Sequence, residues 1–163
     1  MYTNIAFGEG KNAIDIDTSQ AVIYCDVSLG LENSLLEIAL KEGSQMTYHW
    51  DVVIEEVRNY WLNKDIGQVA FRRQVIPDLV SRQWLLKDSN SGITGTTFST
   101  VRAIRFLTHL KNFPVIDKSL LQQGSVYKLR IKLYIEEGEI SDSWWGQALK
   151  LGKTVAVESF SLP

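Results

Sequence analysis

Tyr127-Lys128-Leu129-Arg130-Ile131-Lys132-Leu133-Tyr134-Ile135-Glu136 is the most regular stretch of this chain. Tyr127, Leu129, Ile131, Leu133 and Ile135 alternate with Lys128, Arg130, Lys132, Tyr134 and Glu136. That period of two matches the opposed side chains of a strand with one dry and one wet face. The stretch has no Pro or Gly, so it is expected inside its sheet rather than at an edge.

Working outward, the same pattern recurs. Ala21, Ile23, Cys25, Val27 and Leu29 share one face of a strand over Gln20–Leu29, and Met46, Tyr48, Trp50, Val52 and Ile54 share one face over Gln45–Asn59. Shorter strands are expected at Val69–Ile76, Gln83–Lys87 and Thr154–Phe160, with Pro77-Asp78 as a turn pair and Ser89–Gly92 as a loop. Ala13–Asp17 alternates more weakly, after a turn at Gly8-Glu9-Gly10. Two helices interrupt the strands. In the first, Leu36 and Leu40 line one side, Ser34 and Glu37 have capping-box spacing, and Gly43 sits just past the end. In the second, Ser99 is the cap, Val101, Ile104, Leu107 and Leu110 point inward, and the helix ends before Pro114. Asp117–Gly124 reads as a turn-rich connection.

Seven or eight strands that mostly follow one another favour antiparallel pairing over repeated βαβ units. The expected fold is mainly β: an antiparallel two-sheet β-sandwich with about two helices, α+β at the margin. It is expected as a single domain over residues 1–163, with residues 1–19 as an N-terminal hairpin. A chain of 163 residues with 45% hydrophobic and 22% charged content is an ordinary globular composition.

Charge and motifs narrow the function classes. Seventeen basic against nineteen acidic residues give a net charge of −2, with no basic run of the kind that binds phosphate backbones. Lys128, Arg130 and Lys132 read as a solvated sheet face. The single cysteine, Cys25, has no disulfide partner and falls among apolar residues, so it reads as a small buried hydrophobe. Nothing approaches the ~20 apolar residues of a membrane span. No metal-binding, nucleophile-elbow or phosphate-loop motif occurs, and no cofactor or metal is expected. The acidic clusters Glu55-Glu56 and Glu136-Glu137-Gly138-Glu139 read as solvated.

Two histidines remain. His49 and Asp51 lie two apart on the polar side of a strand and read as a surface pair; a hydrolase-like pocket built on them is the enzymatic alternative. His109, near a helix end, reads as a partner for the helix dipole. Among five tryptophans, Trp50 and Trp84 sit in strand patterns and read as core. Tyr60, Trp61, Trp144 and Trp145 fall in loop-like regions. They are the candidate partner-binding residues, weighed against rings folded back onto the sandwich. A carbohydrate-binding module is the third reading; it needs two coplanar exposed aromatics, which adjacent Trp144 and Trp145 do not provide on a strand.

The order of these landmarks resembles a bacterial family of exported proteins known as domain of unknown function 4390. The matching features are the strand Val22–Leu29, the helix Leu36–Gly43, the strand Thr47–Arg58 followed by Trp61, the helix Phe98–Leu110 and the strand opening Tyr127-Lys128-Leu129-Arg130-Ile131. The tail Val155–Phe160 departs from the Trp-rich end common in that family. The resemblance implies an extracytoplasmic, periplasmic or secreted protein with an N-terminal leader, Met1 being an introduced start, and cytoplasmic residence as the alternative. It also implies an envelope or signalling protein as partner. The reading is then a non-enzymatic binding domain associated with the cell envelope.

Overall fold

The structure is a computed structural model that describes residues 12–30, 33–138 and 152–163. Nine strands occur among these residues: β1 (Ala13–Asp17), β2 (Val22–Ser28), β3 (Met46–Glu56), β4 (Lys64–Asp78), β5 (Gln83–Asp88), β6 (Thr94–Thr97), β7 (His109–Asp117), β8 (Val126–Glu137) and β9 (Lys153–Ser161). Helix α1 (Asn33–Lys41) follows β2 and α2 (Thr100–Thr108) follows β6. The strands form a three-stranded sheet, β1-β2-β7, and a six-stranded sheet, β6-β5-β4-β3-β8-β9. Every pairing is antiparallel.

The two sheets meet through the apolar faces that the alternation marks. Ile23, Cys25 and Val27 of β2 join Tyr48, Trp50, Val52 and Ile54 of β3 and Tyr127, Leu129, Ile131 and Leu133 of β8 in one buried cluster. Phe71 of β4 sits in the middle of it. Its ring stacks on Phe113 of β7 at 4.9 Å and lies parallel to Trp50 at 6.2 Å. β8 is interior to its sheet, between β3 and β9, as its composition predicts. Its stability role follows from burial: each such aliphatic side chain removed from water contributes about 1.5–3 kcal/mol.

Helix ends are set by local chemistry. The Ser99 hydroxyl accepts from the Arg102 amide and caps α2. Gly43, at φ +83°, ends α1 in the left-handed conformation that favours glycine, with its amide on Leu40 O. α1 starts at Asn33, so Ser34 lies inside its first turn rather than ahead of it.

Several expectations are corrected. α2 stops at Thr108, and the next nine residues, including Leu110 and Pro114, form β7 rather than the end of a helix. Leu110 is still buried, but as a strand residue paired with Val27. Val101, expected inward, is 66% exposed. Pro77-Asp78 is not a turn: β4 runs through it, with Pro77 opposite Trp84. The β3 ladder ends at Val75, so the donor that Pro77 lacks falls where β4 has only β5 beside it. The turn is instead Leu79–Arg82. The turn expected at Gly8–Gly10 lies outside the described residues.

Candidate interaction site

The hairpin joining β3 to β4 projects three consecutive large apolar side chains into solvent. Tyr60, Trp61 and Leu62 are 92%, 80% and 92% exposed. The base of this loop is fixed while its tip is free. Val57 donates its amide to Val126 O at 2.9 Å, tying the loop to β8. Asn63 accepts from the Arg58 amide and donates to Glu55. Glu55 is held in turn by Arg130 at 3.1 Å. The Tyr60 and Trp61 rings stand in solvent rather than folding back onto the sandwich. Trp144 and Trp145 lie outside the described residues.

The outer face of the six-stranded sheet differs from expectation. His49 and Asp51 are 4% and 5% exposed, not a solvated pair. β3 is paired along its whole length on both sides. Its short polar residues consequently lie beneath longer ones from β4 and β8, with His49 opposite both Arg72 and Tyr134. Gln68 donates to Asp51 at 2.7 Å, and Gln74 donates to Thr47 at 3.3 Å. Glu136, expected in a solvated acidic loop, is buried on β8 with Oε1 3.7 Å from His49 Nε2. Burial, assisted by the Arg72 charge, pushes the His49 imidazole down to about 4, and burial raises the Glu136 carboxyl. Each shift favours the neutral form. A ring with that affinity for protons is a poor general base near neutral pH.

His109 is also not the expected cation. The Thr108 hydroxyl gives its one proton to Ile104 O, so at 2.8 Å it accepts from His109 Nδ1–H. Nε2 is then left to accept from Ser28, 3.0 Å away. Burial and nearby Arg105 hold its affinity for a proton below the usual histidine range.

Sequence reasoning missed Arg73. Its Nε donates to Asp88 at 2.9 Å, and its Nη1 donates to Phe106 O and His109 O at the end of α2. The guanidinium lies over the Phe106 ring. One half-buried cation thus ties β4, β5 and the C-terminus of α2 together. The available signal was an arginine between Phe71 and Val75, at a position where the alternation calls for an apolar residue.

On the other sheet, Asp15, Asp17, Tyr24, Asp26 and Asn112 line an open cleft of about 370 Å³. Two of its three carboxylates are already engaged. Asp17 accepts from Ser19, and Asp26 accepts from Lys111 and from the Asn112 amide, each at 2.7 Å. No group of three or more His, Cys, Asp or Glu among the described residues is placed to hold a metal ion. Cys25 is buried, and desolvation pushes its thiol up to about 12.

Residues 12–142 match the family described as Domain of unknown function (DUF4390). No curated protein and no solved structure matches the chain.

Proposed function

The chain belongs to the DUF4390 family, and on that premise we propose that it is a non-enzymatic domain that binds a protein component of the cell envelope through its β3–β4 hairpin tip. The supporting observation is the exposure of Tyr60, Trp61 and Leu62 on a loop whose base is hydrogen-bonded in place. Aromatic anchors supply a large share of binding energy at interfaces, and a fixed base limits the ordering cost of docking. The enzymatic rival is weakened because His49 and Asp51 are buried under their neighbours, with Asp51 engaged by Gln68. Extracytoplasmic residence in a bacterium belongs to the same proposal and is tested by osmotic shock of the native host. Release with periplasmic markers supports it; retention with cytosol reverses it.

The docking test uses a photo-crosslinking residue at Trp61, with a second at Val80, which is equally solvent-facing on the opposite hairpin. The expected result is one discrete adduct with an envelope protein from position 61 alone, abolished by Tyr60→Ser with Leu62→Ser. Equal labelling from both positions, or none from position 61, overturns the reading.

A further inference from the structure

Strand β6 ends the six-stranded sheet and pairs only with β5 among the described residues. Asp88 donates its amide to Ile93 O. Antiparallel hydrogen-bonded pairs alternate, so Gly95 and Thr97 turn their backbone groups toward β5. Thr94 and Thr96 therefore turn theirs to the open side. Thr-Gly-Thr-Thr carries none of the charges or prolines that usually guard such an edge, and Phe98 at its exit is 71% exposed.

Charge is also segregated around this edge. Residues 66–116 hold seven basic and two acidic residues, while the rest of the chain holds ten basic and seventeen acidic ones. Among the described residues, Arg73 and Lys111 are spent on Asp88 and Asp26. Arg82, Lys87, Arg102 and Arg105 are exposed and make no ion pair among the described residues. Arg82 adjoins the start of β5, beside the C-terminal end of β6, and Lys87 stands opposite Thr94. Arg102 follows the β6 exit in the first turn of α2, and Arg105 lies one turn further.

We propose that β6 accepts an acidic, extended polypeptide segment as a seventh strand. The backbone groups of Thr94 and Thr96 form the new ladder, and the four cations select carboxylate-bearing sequences. Main-chain pairing supplies affinity and flanking side chains supply choice, as in other strand-addition interfaces. This surface is separate from the hairpin tip, so the two readings fail independently.

The test is fluorescence anisotropy of the whole chain with a labelled short peptide of alternating Glu and Thr. Saturable binding is expected at sub-millimolar concentrations. It should weaken about tenfold or more in Arg102→Glu with Arg105→Glu, which corresponds to about 1.4 kcal/mol or more. The same peptide N-methylated at alternate residues, which leaves the protein untouched, and a Lys-for-Glu peptide should not bind. Thr96→Pro removes only a donor that faces solvent; it should melt like the parent and lose the peptide. Trp61→Ser should bind as the parent does. Absence of saturation, equal affinity for the N-methylated or lysine peptide, or unchanged binding by folded Thr96→Pro overturns the proposal. So does a concentration-dependent dimer that Thr96→Pro abolishes, since the occupant is then a second copy.

Discussion

Strands β3 and β8 lie side by side in antiparallel register and carry the same alternation of apolar and polar residues, yet they are buried to different depths. On β8 the polar positions Lys128, Arg130, Lys132 and Tyr134 are half-exposed. On β3 the polar positions Thr47, His49 and Asp51 are as buried as the core residues between them. The cause is the size of the neighbours. β3 has Arg72, Gln68 and Gln74 on one side and Arg130, Lys132, Tyr134 and Glu136 on the other. β8 has β9 on its far side, where Ser159, Val157 and Thr154 stand opposite Lys128, Arg130 and Lys132. Alternation thus records which face a residue takes. The lengths of the flanking side chains decide whether that face is wet.

The inner faces of the two strands should behave alike, and that is where the largest effect is expected. Ile131→Ala should cost roughly 2–5 kcal/mol in a denaturant melt, the range for a large-to-small deletion in a packed core. A cost under about 1 kcal/mol would mean that the inner face of β8 is misassigned.

The outer faces should differ. His49 has a folded-state proton affinity lowered from 6.5 to about 4. Its contribution is fully present above pH 6.5 and is lost as pH falls from there toward 4, amounting to about 3 kcal/mol at the limit. Glu136, raised by burial, acts with the opposite sign, gaining stability as pH falls through its folded value. Arg72 faces the same imidazole from β4. Comparing the parent with His49→Gln by denaturant melts from pH 7 to pH 4 isolates the histidine. The variant should show a distinctly shallower fall, and parallel curves would place His49 in water.

Asp51→Ala should cost about 0.5–1.5 kcal/mol, the net worth of the hydrogen bond from Gln68, whose exposed amide can turn to water. Tyr48 tests the same covering from within the core. Its hydroxyl is buried, reaches no partner among the described residues and is held protonated by desolvation. Tyr48→Phe should therefore be neutral or stabilising by up to about 1 kcal/mol. The smallest effect is expected at Lys132→Ala, within about 0.5 kcal/mol. If Asp51→Ala proves as mild as Lys132→Ala, the contrast between the two strands disappears.

Much of the fold was legible because its strands are long and one-sided. β2, β3 and β8 are readable from Ile23, Trp50 and Ile131 and their neighbours two apart. β6 was missed because Thr-Gly-Thr-Thr has no hydrophobic period at all. β7 was missed because Leu107 and Leu110 continue the helical spacing of α2 across its true end, and because Pro114 and a left-handed Asn112 at φ +47° interrupt the strand pattern. For the site, the loop position of Tyr60 and Trp61 was legible from their place between two strands, but the rings were expected to fold back onto the sandwich rather than stand in solvent. The burial of His49, Asp51 and Glu136 depends on residues 17 or more positions away in the sequence, which no local pattern encodes.

Cys25 gives the molecule a further property. Shielded under the sandwich and held as the thiol, it offers no thiolate for disulfide exchange, peroxide oxidation or alkylation while the domain is folded. The folded domain therefore takes no part in thiol–disulfide exchange with its surroundings. A cysteine placed at Trp61 or Thr96 would be the reactive thiol of the folded protein, so a maleimide probe would report from the hairpin tip or the β6 edge without competition from the interior.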